Sequence, residues 1–162
     1  MFSLEDLEDS LGSGAVLVAG LLMPGFVEDL STWLVTVSPS GERIRQVREW
    51  GSYLPTRQGT LEVSPDWRSK AQPAPIQIAS LERAEVEEIL RFGGECGFLD
   101  GHRSLAPTEW RITDQPSEAV GCRVADRIGI TEYYAADFAA VEEKSPLASA
   151  FCEIRDRIVA NS

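Results

Sequence analysis

The chain has 162 residues, of which 43% are hydrophobic and 25% charged, a composition typical of one soluble globular domain. At this length a folded chain buries roughly 70% of the surface that its unfolded form exposes, so the fold requires no metal or disulfide staples. The 15 basic residues stand against 26 acidic ones, for a formal charge of −11. Because phosphates demand a basic surface, this charge argues against a general binder of nucleic acid or of anionic membranes.

Three features of the sequence predict a cytosolic protein. Residues 1–9 hold four acidic residues and no basic one, whereas a secretory signal begins with a positively charged region. The longest apolar run, from Ala15 to Met23, is far shorter than the ~20 residues needed to cross a bilayer. The three cysteines, Cys96, Cys122 and Cys152, are odd in number and widely spaced, which is atypical of a secreted disulfide framework.

The N-terminal part predicts one helix followed by a strand-rich region. Apolar residues recur at helical spacing through residues 2–11, and Ser3 is a typical N-cap residue. The apolar run 15–23 is flanked by glycine and proline and predicts a buried strand. Segments 32–37 and 43–50 predict a hairpin around a Ser-Pro-Ser-Gly turn. Neither face of 43–50 is purely apolar, so we expect that strand at an edge of the sheet.

The middle of the chain contains a proline-rich stretch and then an acidic helix. Residues 51–75 predict either a long loop or a strand interrupted around 60–63. Ser80 is expected to cap a helix over 81–93 that has one apolar and one acidic face. The glycines at the end of this helix precede a polar segment, 100–103, which predicts an exposed turn.

The C-terminal part predicts a second hairpin region and two helices. Strands are expected over 109–113, 120–125 and 130–135. Asp137 is expected to cap a short helix, and a Ser-Pro pair at Ser145 is expected to start the last helix. The whole pattern predicts a single α+β domain, with a mostly antiparallel sheet built from two hairpin regions and packed by the central acidic helix and the C-terminal helix. This order of elements is common among small bacterial proteins and identifies no family.

The chain offers only weak candidates for catalysis or metal binding. His102, the sole histidine, lies six residues after Cys96 and beside Asp100, but a thiolate needs positive surroundings that this acidic chain scarcely supplies. Three cysteines and one histidine equal the ligand count of a zinc site, yet the cysteines lack the close spacing that zinc ligands use. The sequence contains no common catalytic motif. We therefore predict no catalytic residue, metal or cofactor.

The charges are unevenly spread and indicate where a partner would bind. Residues 1–30 hold six acids and no base, whereas residues 42–70 hold six bases and four acids. The predicted acidic helix carries Glu82, Glu85 and Glu88 on its polar face. An acidic surface of this kind speeds association with a basic protein.

Two arginines and a tryptophan form a second candidate binding site, for an anion or an acidic peptide. Arg43 and Arg45 share one face of the predicted edge strand, and Trp67 lies in a proline-bounded loop. Each has an alternative role, because charges protect edge strands from aggregation and tryptophans also hold loops in place.

These observations predict a non-enzymatic cytosolic protein that binds another protein, with a basic partner favoured. A toxin-neutralising immunity protein or an inhibitor of a basic nuclease fits this description. The alternative is a small ligand-binding domain or enzyme whose pocket, between sheet and helices, is lined by His102, Arg123 and Tyr134. A third hypothesis, mimicry of DNA by rows of carboxylates, depends on surface spacing that a sequence does not contain.

Overall fold

The sheet of this protein carries helices against both of its faces. The computed structural model describes residues 1–25, 29–55, 61–63, 72–109 and 114–162. In chain order the elements are α1 (Leu4–Gly12), β1 (Leu17–Met23), β2 (Asp29–Val37), β3 (Arg43–Pro55), β4 (Leu61–Val63), β5 (Ile76–Ile78), α2 (Arg83–Glu95), β6 (Gly101–Leu105), β7 (Ser117–Val124), β8 (Arg127–Tyr134), α3 (Ala136–Val141) and α4 (Pro146–Val159).

The described strands lie side by side in the order β4-β3-β2-β1-β7-β8-β6, and β5 also pairs with β3. Strands β2 and β3 form one hairpin, and β7 and β8 form the other. Both are antiparallel, as are the other described pairings apart from the parallel pair β6–β8. The predicted α+β fold with a mostly antiparallel sheet is confirmed.

Strand β1 lies at the centre of the sheet, between β2 and β7. Leu17, Val18 and Ala19 are all fully buried, although successive side chains of a strand point to opposite faces. Both faces are therefore covered at this position. This explains why the sequence here is a continuous apolar run, and the predicted buried strand is confirmed.

Each face of the sheet has its own apolar cluster. Helix α1 covers one face, which we call the α1 face, and its cluster consists of Phe2, Leu7, Leu11, Val18, Leu22, Leu34, Ala119 and Ile130. Helices α2, α3 and α4 cover the other, the α2–α4 face. Its larger cluster includes Val35, Val120 and Tyr133 from the sheet and Ile89, Ala139, Phe151 and Ile154 from the helices. Burying a Leu- or Phe-sized side chain in such a cluster stabilises the fold by about 1.5–3 kcal/mol.

The N-caps expected for the first and last helices are confirmed. Ser3 accepts a hydrogen bond from the backbone N–H of Asp6, and the Asp6 carboxylate accepts one from the Ser3 backbone. Ser145 accepts one from the backbone N–H of Ala148, and Pro146 occupies the first turn of α4. These bonds satisfy backbone donors that the helices themselves leave unpaired.

The expectation that Ser80 caps α2 is wrong. The N-cap residue is Glu82, whose side chain makes no capping hydrogen bond. The backbone N–H of Leu81 donates to the carbonyl oxygen of Gly41 at 2.8 Å, so the turn of the first hairpin holds the chain just before the helix begins. Gly41 has a φ of 96°, and a Cβ at this position would collide with the Leu81 carbonyl oxygen. Glycine alone permits this approach without strain.

Residues 101–105 form strand β6 rather than the end of an exposed turn, so the turn predicted at 100–103 is wrong. Gly101 pairs with Gly129, and Leu105 pairs with Tyr133. The backbone of Phe98 packs so closely on Gly129 that a Cβ there would collide with the Phe98 carbonyl oxygen. This contact brings the chain alongside β8, where a parallel strand can form.

The prediction that residues 43–50 form an edge strand is wrong at the start of β3, because residues 43–45 pair with β5 on the side away from β2. Further along β3, the side chain of Gln72 makes the backbone hydrogen bonds that a neighbouring strand would otherwise make. The backbone N–H of Glu49 donates to Oε1 of Gln72 at 2.7 Å, and Nε2 of Gln72 donates to the Glu49 carbonyl oxygen at 2.9 Å. Within 51–75, the structure describes the end of β3, strand β4 and residues 72–75.

One predicted strand falls mainly on residues outside the described part of the chain, since 110–113 belong to it. Glu109 precedes that segment and is not in a strand. No helix among the described residues is long and apolar enough to cross a membrane.

Candidate functional site

A cleft of about 370 Å³ opens on the α2–α4 face, between the sheet and the helix pair α3–α4. Its lining consists of Leu21, Pro24, Gly25, Trp33, Asp114, Pro116, Glu118, Asp137 and Arg155. Strands β1, β2 and β7 supply one side, while α3 and α4 supply the acid–base pair on the other. The volume lies at the lower end of the range of about 300–1,000 Å³ found for ligand sites.

Strand periodicity and helix periodicity place two charged residues at the floor of this cleft. Glu118 is opposite Leu21 in the pairing of β7 with β1, and it faces the same way as the buried residues Val120 and Cys122. Arg155 lies one turn after Phe151 in α4 and therefore shares the buried side of that helix. Glu118 is 7% exposed and Arg155 is 8% exposed.

Arg155 is held by three carboxylates. Its Nη1 donates to Oε1 of Glu118 at 2.9 Å and to Oδ2 of Asp137 at 3.1 Å. Its Nη2 donates to Oδ1 of Asp137 at 3.0 Å, and its Nε donates to Oδ1 of Asp156 at 2.9 Å. The planar guanidinium suits this fork-shaped pairing with Asp137. One positive charge thus faces three negative ones.

Burial and pairing move the pKa values of this cluster in different directions. Burial raises the pKa of Glu118, and the charge and hydrogen bond of Arg155 oppose that effect without cancelling it. The hydrogen bond from Arg155 lowers the pKa of Asp137. Burial alone would lower the pKa of Arg155, but the hydrogen bonds to Asp137 and Asp156, together with the negative charge of Glu118 and other neighbours, raise it. A buried carboxylate with a raised pKa in a cleft is a recognised mark of a functional site.

The thiol that is bonded to this cluster, Cys152, is not activated. Sγ of Cys152 lies 3.6 Å from Oδ1 of Asp137 and donates to it. Burial raises the pKa of Cys152 to about 11, so the thiol stays protonated at neutral pH and is a poor nucleophile. The arrangement can bind charged groups, but the described residues of its lining include no nucleophile paired with a base.

The predicted acidic face of α2 is partly neutralised within the molecule. Glu88 forms an ion pair with Nη2 of Arg157 at 3.3 Å. Glu85 is half-buried and lies near enough to Arg43 to raise the pKa of its guanidinium, against the larger opposing effect of burial. Glu82 is exposed. The structure therefore places Glu85 and Glu88 on α2 and Glu82 at its N-cap, and both helical carboxylates lie near arginines of the same chain.

Arg43 does not lie on an open strand edge, as its predicted role in binding an anion required. It is 2% exposed, and its guanidinium donates to the carbonyl oxygens of Ala79, Ile158 and Ala160. These bonds hold the C-terminus of α4 and leave Arg43 with a structural role. Arg45 faces the same side of β3 and is half-buried. Trp67 lies outside the described residues.

The pocket expected from His102, Arg123 and Tyr134 is not formed by them. All three point to the α1 face, away from the cleft, because their strand neighbours Arg103, Cys122 and Tyr133 face α2–α4. Arg123 pairs with Ile128 and Tyr134 with Ser117, so six positions of β8, about 20 Å, separate them. His102 is exposed on β6.

The cysteines do not meet the requirements of the weak candidate sites. Cys96, Cys122 and Cys152 are all free thiols. Burial raises the pKa of Cys96, and the neighbouring Glu95 and Glu153 raise it further, which is opposite to what a thiolate nucleophile needs. Among the residues described, no three His, Cys, Asp or Glu side chains are grouped so that they could hold a metal ion.

Sequence reasoning missed Glu118, Asp137 and Arg155, although two of them left a signal. Strand alternation puts Glu118 on the same face as Val120 and Cys122, and helical spacing puts Arg155 on the apolar stripe of α4. A charged residue at a buried position demands a partner. Asp137 was expected as an N-cap, but that position belongs to Ala135, and Asp137 lies in the first turn of α3, where it binds Arg155.

A comparison with protein-family models finds no match, and a search among curated proteins finds no relative. The function is therefore inferred from the chain itself.

Proposed function

We propose that this protein is a non-enzymatic binding protein whose acidic surface recognises a basic protein partner. The observation that carries this proposal is the charge of α1. The helix holds four acidic residues and no basic one, and three of the four, Glu5, Glu8 and Asp9, have no ion pair among the described residues. The fourth, Asp6, caps the helix and pairs with Arg48 at 3.5 Å.

The two acidic helices belong to separate surfaces, because α1 and α2 lie on opposite faces of the sheet. Glu88 and Glu95 of α2 pair with arginines, whereas Glu5, Glu8 and Asp9 of α1 have no ion pair among the described residues. A field of uncompensated charge attracts an oppositely charged partner and accelerates its association. The surface of α1 is thus the better candidate for the first contact.

The proposal includes a cytosolic location and an inhibitory role. Three free cysteines favour a reducing compartment. An immunity protein or another inhibitor of a basic enzyme, such as a nuclease, would use an acidic surface in this way, and such proteins need no catalytic machinery of their own.

One observation favours the alternative, a small ligand-binding domain. The cleft at Glu118 and Arg155 lies between the sheet and the helices, where ligand pockets commonly form. Its residues differ from those predicted, and its described lining contains no nucleophile paired with a base. It therefore favours ligand binding over catalysis.

The test is affinity capture from native lysate with the tagged protein and two charge variants. In the first variant, Glu5→Gln, Glu8→Gln and Asp9→Asn neutralise the free acids of α1. In the second, Glu82→Gln, Glu87→Gln and Glu142→Gln remove the same number of charges from exposed positions on α2 and after α3. The matched pair separates an effect of one surface from an effect of net charge.

The proposal expects one stoichiometric basic protein that elutes as salt rises and is lost from the α1 variant only. Loss from the second variant alone would move the interface to the α2–α4 face. Recovery of a small molecule with no protein, identified by mass spectrometry, would overturn the proposal in favour of the alternative.

A further inference from the structure

We propose that the cleft beside Glu118 receives the cationic side chain of a lysine or arginine presented by the basic partner. This inference rests on the proposed function and adds a specific pocket to it. It concerns the α2–α4 face, so the partner would contact the protein at a place separate from the helix that attracts it.

The charge at the floor of the cleft selects a cation. Arg155 is the cation of the cluster, and Glu118, Asp137 and Asp156 all accept hydrogen bonds from it. Glu118 and Asp137 line the cleft, so the guanidinium of Arg155 neutralises one of these two carboxylates and leaves an excess of negative charge. An anionic group entering the cleft would meet that excess, whereas an ammonium or guanidinium group would offset it.

Glu118 supplies the acceptor. Its side chain is more than nine-tenths buried, and Oε1 is bonded to Arg155. No residue that the structure describes donates a hydrogen bond to Oε2. Because this oxygen is unpaired and is not fully enclosed by the protein, it can accept a hydrogen bond from a donor that enters the cleft.

The walls suit the alkyl part of such a side chain. Leu21 and Pro24 are apolar, and Trp33 adds an aromatic surface. Lysine and arginine both bury their methylene stems against apolar surface while the charged end stays hydrated or paired. An aromatic ring also attracts a cation that lies over its face. At about 370 Å³ the cleft has room for one side chain and some water rather than for a folded element.

The first experiment uses blocked single amino acids as probes. N-acetyl-lysine methylamide and N-acetyl-arginine methylamide are titrated into ¹⁵N-labelled protein, with the norleucine and glutamate analogues as neutral and acidic controls. The indole N–H of Trp33 reports on the cleft, because Trp33 is part of its lining. We expect a saturable shift of Trp33 with the two basic probes and none with the controls. Equal binding of the glutamate analogue, or no shift of Trp33, would overturn the proposal.

Variants locate the binding. Asp137→Asn removes one acceptor at an exposed position, and Glu118→Gln removes the buried one; each is expected to weaken binding of the basic probes by about tenfold or more. The first variant keeps the test valid if Glu118→Gln fails to fold. The matched control, Glu87→Gln, should bind the probes as the wild type does. Unchanged probe binding in both cleft variants would contradict the assignment.

The same variants distinguish this inference from the proposed function. If a basic partner is captured and its affinity is unchanged by Asp137→Asn and Glu118→Gln, the cleft assignment is overturned and the proposed function stands. If the partner is lost from the α1 variant while that variant still binds the probes normally, both stand, because attraction and insertion then use different surfaces. If the probes bind but no basic protein is captured, the assignment of the cleft to a partner side chain fails together with the proposed function.

Discussion

Arg43, at the start of β3, donates a 2.7 Å hydrogen bond from Nη1 to the carbonyl oxygen of Ala160, the C-cap residue of α4. The two residues are far apart in sequence, and the bond fixes the last helix to the first hairpin. A cation at a helix C-terminus also interacts favourably with the helix dipole. The buried charge therefore acts as a cap supplied by the sheet.

Replacing Arg43 by methionine removes this cap. The carbonyl oxygens of Ala79, Ile158 and Ala160 then lose their donor, so Arg43→Met is expected to lower the free energy of unfolding by about 2–4 kcal/mol. Urea denaturation followed by circular dichroism measures the change. Arg45→Met, on the same face of the strand but half-buried, should cost less than about 1 kcal/mol. Equal losses for the two variants would contradict the cap.

Gly121 marks the point where α1 packs on the sheet. A Cβ at this position would lie 2.8 Å from Cγ1 of Val18 and 2.9 Å from Cδ1 of Leu11. Gly121→Ala is therefore expected to lower the midpoint of thermal unfolding, at a cost of about 1–3 kcal/mol. Gly12→Ala, where no atom lies within 4 Å of the added carbon, is the control and should leave the midpoint unchanged or slightly higher. A midpoint unaffected by Gly121→Ala would show that the helix can move away from the sheet at little cost.

Asp137 makes the free energy of unfolding depend on pH in the acidic range. The hydrogen bond with Arg155 lowers the pKa of Asp137 below the usual value of 3.8. The ionised carboxylate therefore stabilises the folded state at pH values above 3.8, and this stabilisation is lost as the pH falls through the lower pKa of the folded state. The difference in unfolding free energy between wild type and Asp137→Asn should therefore be largest near neutral pH and shrink in acid. Denaturation at a series of pH values tests this. A difference independent of pH would mean that Asp137 contributes through shape alone.

The effect of Glu118 on the free energy of unfolding changes with pH in the opposite direction. Its pKa is raised by burial, so the folded state favours the protonated form, and ionising this group costs stability as pH rises above the usual value of 4.5. The pKa can be followed directly by carbon NMR of the labelled carboxyl group. We expect Glu118 to titrate at a higher pH than Asp137 in the same spectrum. The reverse order would contradict the burial of Glu118 and weaken its role in the cleft.

The cysteines should react in the order of their burial. Burial raises the pKa of Cys122 to about 12, and the side chain is fully buried, so it should resist a maleimide reagent until the protein unfolds. Cys96 and Cys152 are half-buried and should react slowly at neutral pH. Peptide mapping by mass spectrometry after a short pulse gives the three rates. Fast labelling of Cys96 would support the nucleophilic site of Cys96 and His102 that was considered from the sequence.

The predictable part of this fold rests on local patterns. The apolar run of β1, the turn between β2 and β3 and the caps Ser3 and Ser145 all depend on neighbours close in the chain, and all are confirmed. Strand β6 was missed because its only described pairing, with β8, joins residues far apart in sequence. The start of α2 was missed for a similar reason, since the hairpin turn at Gly41 fixes it.

The candidate site was less predictable than the fold. An exposed position was assumed for Arg43, but a charged side chain can be buried when distant carbonyl groups receive its hydrogen bonds. Glu118 and Arg155 could have been suspected individually from their places on apolar faces. Their pairing could not, because it depends on the distance between β7 and α4 in the folded chain.

The pairing of β1 with β7 also sets an order of events during folding. Strands β1, β2 and β3 follow one another and can pair as soon as they are made, whereas Leu17 meets Cys122 only after most of the chain exists. Pairing two segments that are so far apart in the chain requires closing a long loop. The entropy lost in closing that loop opposes pairing before the contacts between the strands can stabilise it. Joining the two hairpin regions is thus the slow step that we expect, on the scale of about milliseconds to seconds. Until then the inner edge of β1 has no strand beside it, and an unpaired strand edge of this kind is prone to aggregation.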